Sequence, residues 1–322
     1  MAQIPRAALD YLTEEINGIS ADAKAKVMRV LEKLDWNDVP ACRDAAVGAV
    51  NAVLDAYSLA AGQASADFFD ASREIAVGSR LGAAVATGRD PDATEGAIRA
   101  FVDKALKGDI DSFNSAVLSR VGYELKRSAG QTMMENAARD PLKPRFARVP
   151  SGGETCKFCL MLASRGFVYH SKKTAGEFGH YHDNCDCRIV ASWDKDGVEG
   201  YDPTAYHNEW LGRENFTIPE AKLTGYALNM NHAKGKDKAI AFREALGFTS
   251  DDAPEIMRQV YRWVGAHEPI YSHTDQFGDR LTTDMMMTGK NGKTAKVTVG
   301  WIKEPGADKM RMTSIYVSKR KR

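Results

Sequence analysis

The chain has 322 residues, with 44 Lys and Arg against 43 Asp and Glu, a formal net charge of +1. With 43% hydrophobic and 27% charged residues it has material for real cores, and its length reads as two or three domains. No apolar run reads as long enough to cross a bilayer. The first ten residues lack the basic-then-apolar pattern of a signal peptide, so a reducing compartment and no membrane are expected.

Residues 1–140 read as an all-α scaffold. Ser20 is a candidate cap for a helix through Leu34, with Val27, Val30, Leu31 and Leu34 on one face. An Ala-rich helix is predicted from Val39 to about Val77, and another from Asp92 to about Asn136 with a break near Gly108-Asp109. Their apolar stripes suit a core or subunit contacts, so a homo-oligomer is among the expectations. Nothing in this stretch points to catalysis. Cys42, alone in a helical context, reads as a small buried hydrophobe.

Residues 141–195 form a second region. Pro141, Pro144 and Pro150 make an extended connector, and Ser151-Gly152-Gly153 turns the chain into Cys156-x-x-Cys159. A short helix over Leu160–Ser164 is expected to end at Gly166, with strands at Phe167–His170 and Cys187–Ala191. Between them lies His182-x-x-Cys185-x-Cys187. Two thiolates two residues apart can face one ion, and the return arm offers three more donors. Sulfur with imidazole at four-coordinate spacing selects Zn2+. The candidate ligands are Cys156, Cys159, His182, Cys185 and Cys187, one more than a tetrahedral site needs. A deaminase-type catalytic zinc would need a His-x-Glu arm ahead of the cysteine pair, which is missing, so a closed structural site in a small α+β region is the expectation. Two disulfides would suit an oxidising compartment instead.

Residues 196–217 read as a linker that packs through Tyr201, Tyr206, Trp210 and Phe216. Residues 218–322 read as an α+β domain, helices first and then an antiparallel sheet. Helices are predicted over Gly235–Gly247 and from Ser250-Asp251-Asp252 to about Val264. Strands follow at Gly278–Thr288, Thr294–Ile302 and Lys309–Val317, with turns at Lys290-Asn291-Gly292 and Pro305-Gly306. This part holds 18 basic against 12 acidic residues, and the rest 26 against 31. A basic module on an acidic carrier suits a polyanion such as RNA or DNA.

Val149–Gly153, Cys156-x-x-Cys159-x-x-Leu162–Gly166 and Tyr181–Cys187 resemble the minor head proteins of tailed phages. These are the Mu F-like, head-morphogenesis proteins, in the form found in actinobacterial phages and prophages. The resemblance covers residues 1–195 and is specific in the cysteine window. It implies a minor capsid protein of the virion head, portal and capsid proteins as partners, and passage into the host cytoplasm with DNA. It also implies Cys156, Cys159, His182 and Cys187 as ligands, with Cys185 the alternate.

The run Lys222-Leu223-x-x-Tyr226-x-Leu228-Asn229 to His232-x-x-Gly235-Lys236-x-Lys238, with Trp301-Ile302 and Thr313-Ser314-x-Tyr316, resembles a domain of unassigned function. That domain stands at the ends of phage head proteins and bacterial toxins, and its layout is similar to barnase, EndoU, colicin and RelE-like ribonucleases. Metal-independent RNA cleavage needs a base, an acid and a cation for the developing charge. His232 is the candidate acid or base. Lys236, Lys238 and Arg280 are candidate phosphate holders, and Thr313 and Tyr316 candidate hydrogen-bond donors.

Overall fold

Four long helices make up residues 1–140 of the computed structural model: α1 (Arg6–Leu31), α2 (Val39–Val77), α3 (Pro91–Leu106) and α4 (Ile110–Arg139). The structure describes residues 2–152, 155–170, 187–194 and 197–318. They divide into one unit of Met1–Thr155 with Arg165–Tyr201, and another of Cys156–Ser164 with Asp202–Arg322.

Local chemistry sets where three helices begin. Asp38, Asp90 and Asp109 each accept a backbone N–H of the first turn at 3.0 Å, and α2 and α3 have proline in that turn. Ser20 is no cap: it lies buried within α1, because Leu9, Leu12 and Ile16 carry the stripe of Val27 and Leu31 back to Arg6. The residues after α2 run extended along the bundle and are held by side chains. Asp70 accepts the N–H groups of Leu81 and Ala83, Asn136 bonds both backbone groups of Ala84, and Thr132 accepts the N–H of Ala86. A segment with no ladder of its own is thereby satisfied.

By length and hydropathy the 39-residue α2 does suffice to cross a bilayer, contrary to the sequence reading. Its apolarity comes largely from alanine, and α1, α3 and α4 all pack on it.

At the end of α4 the fully buried Asp140 carboxylate ties three elements together. Arg73 of α2 bonds it at 2.7 Å, the Trp193 indole at 2.9 Å and the Leu142 N–H at 2.8 Å. Burial alone would raise its pKa, but these donors together hold the carboxyl below its ordinary value of 3.8. The chain then enters β1 (Arg145–Pro150), which pairs antiparallel with β2 (Cys187–Ser192), Pro150 opposite Cys187. Phe167–His170, expected as a strand, makes one antiparallel bridge, Phe146 with Tyr169.

In the second unit α5 (Lys157–Ala163) packs on α6 (Pro203–Asn215), so the stretch read as a linker holds a helix. α6 in turn packs on α8 (Ala253–Ala266) at backbone distance. A methyl group on Gly212 would fall on the Tyr261 carbonyl, and one on Gly265 on the Asn208 carbonyl. Beside this crossing the buried Glu209 carboxylate takes Arg213 at 2.8 Å and Arg262 at 3.0 Å.

A π-helical turn (Leu223–Ala227) and α7 (Lys236–Leu246) precede α8, and the sheet follows: β4 (Ile270–Asp275), β5 (Gly278–Thr288), β6 (Thr294–Lys303) and β7 (Met310–Val317). The expected all-antiparallel sheet is corrected. β3 (Phe216–Thr217) joins β7 in parallel, giving a mixed five-stranded sheet in the order β3-β7-β6-β5-β4. Chain entering from α6 cannot reach β7 through a hairpin, and Phe216 seats edge-on against the buried Trp301 at 4.9 Å. One sheet face packs on Phe242, Leu246, Ile256 and Val260 to make the core.

Arg73→Ala, which strands a buried carboxylate, is expected to cost about 3–5 kcal/mol in denaturant unfolding. The Asp140 contribution is full above pH 3.8 and is lost as pH falls through the lowered folded value. Asp140→Asn therefore flattens the acid limb of stability against pH. Gly212→Ala or Gly265→Ala is expected to destabilise the second unit by about 2–3 kcal/mol. Gly225→Ala, with open space around it, serves as the control and changes little.

Candidate functional site

Cys156 caps α5, and its Sγ accepts the N–H of Cys159 at 3.3 Å. The side chain of Cys159, one turn on, is fully buried. An N–H donor at a sulfur inside a two-residue turn supports an anionic thiolate and leaves sulfur lone pairs for an ion. Cys187 opens β2, fully buried, and Nη1 of the buried Arg148 donates to its Sγ at 3.0 Å. A cation beside a buried sulfur is likewise what a thiolate needs. Cys42 is a free thiol. Burial, and then Asp35 and Asp38, push the Cys42 thiol up, as suits its role in the core. His182 and Cys185 lie outside the described residues. Among the described residues no three metal-binding side chains are gathered.

The other candidates lie in the second unit, and two of them, His232 and Lys238, meet at Tyr226, a residue the sequence analysis quoted in a motif without giving it a role. The Tyr226 ring stands edge-to-face with His232, centroids 4.8 Å apart, and Nζ of Lys238 lies 5.0 Å above it. The same Nζ is 5.6 Å from the Tyr316 ring centre. Lys238 is partly buried between two aromatic faces. Burial first, and the charge of Lys222 second, pull its ammonium below the usual lysine value. Among the described residues no carboxylate bonds it.

The turn that builds this cluster is set by His232 itself. Its Nδ1 accepts the backbone N–H of Lys234 at 3.2 Å and of Gly235 at 3.0 Å. Gly235 is required there, because a methyl group would fall on the Tyr226 carbonyl oxygen. Tyr226 is on the π-helical turn, Lys238 on α7 and Tyr316 on β7, so only the packing joins them.

The remaining candidates are not part of the cluster. Lys236 is exposed at the first position of α7. Arg280 on β5 bonds Asp275 at 2.8 Å and lies in register with His273 and Ile302, whereas Tyr316 is in register with Thr298, which faces Asp284. Thr313 sits at the bulge where the β6–β7 register shifts.

Gly235→Ala is expected to push the turn off Tyr226, costing about 1–3 kcal/mol and altering the near-ultraviolet tyrosine signal. Two family models match the chain: one described as VG15 protein over residues 3–212, and one described as a domain of unknown function, DUF6883, over residues 212–319. The first is of phage type. No curated protein and no solved structure matches.

Proposed function

The chain belongs to the VG15 protein family, which marks it as phage virion-associated, and from that premise we propose that it is a minor head protein whose cysteine window holds one structural Zn2+. The observation that carries the zinc reading is the Cys156–Cys159 turn, with the Cys159 N–H on the Cys156 sulfur. The donors proposed for the ion are Cys156, Cys159, His182 and Cys187, with Cys185 as the alternate, a sulfur and imidazole set of the kind zinc takes. Bound there, zinc would supply folding free energy to a region with little core of its own. A closed thiolate and imidazole set leaves no position for a reacting water, so the role is structural.

The helical N-terminal unit suits a scaffold in head assembly, with portal and capsid proteins and further copies of the chain as partners. The second unit is then an appended module. In the alternative, a virion-delivered toxin, that module is a metal-independent ribonuclease. The placing of His232 and Lys238 on the one Tyr226 ring, with Lys238 also against Tyr316, favours this alternative, and the position of Arg280 in another register of the sheet weighs against it.

Elemental analysis of the purified full chain is expected to find about one zinc per chain. Cys156→Ser and Cys159→Ser should each lower that content, and a strong chelator should lower the melting temperature. A metal-free chain that melts unchanged in chelator would sink the zinc reading. Mass spectrometry of purified particles should find the chain in heads, and growth on cytoplasmic expression separates the two modules: a ribonuclease arrests cells and a capsid component does not.

A further inference from the structure

A lysine that loses hydration on folding is normally compensated by a carboxylate. Among the described residues Lys238 is compensated by the faces of Tyr226 and Tyr316, and its charged neighbour is another cation, Lys222. Cation–π contact offsets part of the desolvation. The repulsion between the two lysines remains, and an anion placed beside them would relieve it.

His232 adds a constraint on what happens to that anion. A backbone N–H can only donate, so Nδ1, which receives two of them, is the acceptor nitrogen and the ring proton sits on Nε2. To act as a base at Nε2 the ring would first have to shed that proton. To act as an acid it would have to take a second proton on Nδ1, at the expense of both backbone bonds. Hydrogen-bond donation through Nε2–H needs neither change.

We propose that the second unit binds the phosphate backbone of single-stranded nucleic acid at Lys238 and Lys222, with Tyr226 and Tyr316 as the aromatic surface and His232 as a donor, and that it does not cleave its ligand. Single strands are favoured over a free phosphate by the aromatic rings, since Tyr316 is 41% exposed and can stack a base. The exposed Lys234 and Lys236 beside the turn extend the positive surface. This proposal does not depend on the zinc reading: zinc content tests the one, and the experiment below tests the other.

The test is fluorescence anisotropy of labelled oligo(U) and oligo(dT) with the full chain over a salt series, followed by gel analysis of the RNA. Wild type is expected to bind and to return the RNA intact. Lys238→Gln should weaken binding about tenfold and reduce the salt slope by about 0.7, the loss of one phosphate contact. Lys238→Arg should restore most of the affinity. Tyr316→Ala should weaken binding without changing the slope. Lys293→Gln, an exposed charge on the β5–β6 turn, should leave affinity within about twofold, as one distant surface charge should. Equal losses for Lys238→Gln and Lys293→Gln would mean unspecific attraction and overturn the site. Inorganic phosphate bound without either oligonucleotide would overturn nucleic acid as the ligand. RNA cleavage abolished by His232→Asn, which keeps an acceptor for the turn, would overturn the donor role.

Discussion

The first unit is organised by a carboxylate that water cannot reach. Asp140 stands where α4 ends and the chain must turn toward β1, and its oxygens take Arg73, Trp193 and the Leu142 N–H. Arg73 is fixed in turn by the carbonyl and hydroxyl of Ser79, where α2 gives way to the extended segment. One charge pair therefore sets the end of α4, the exit of α2 and the exit of β2. Breaking it leaves a buried charge without a partner, which costs more than the pair itself contributes. Because β2 is held at its far end in this way, Cys187 at its near end meets Arg148 in a fixed register.

A different constraint governs the second unit. Gly212 and Gly265 bring the backbones of α6 and α8 into contact, and Glu209 bridges their arginines next to it. The chain leaves α6 straight into β3, so the placement of that helix also places the parallel strand beside β7. Beyond β3 no further strand lies on that edge of β7 among the described residues, and there Tyr316 meets Lys238. The cluster thus occupies a stretch of sheet edge that the short β3 leaves free. Gly235 does locally what Gly212 does between helices: it allows a carbonyl, that of Tyr226, to come where a side chain would stand.

Much of this was legible in the sequence. Apolar stripes and the Gly108-Asp109 break marked α2, α3 and α4, and Lys290-Asn291-Gly292 and Pro305-Gly306 marked the turns of the sheet. A short helix was expected at Leu160–Ser164, and it starts earlier, at Lys157, because the Cys156 sulfur caps it. These features are local, since a cap or a turn depends on residues within about one helical turn of each other. Ser20 misled because a good capping residue is equally at home on the buried face of a helix whose stripe continues past it.

What the sequence determined by itself was the kind of each segment: helical scaffold, cysteine turn, basic α+β tail. The tertiary structure alone decided that α6 packs on α8 of the tail and that the tail's sheet is mixed. It alone joined Tyr226, Lys238 and Tyr316 while leaving Arg280 in another register. The reason is physical. Helix and turn chemistry acts between near neighbours in the chain, whereas the cost of burying a cation or a carboxylate is fixed by groups that only packing brings within reach.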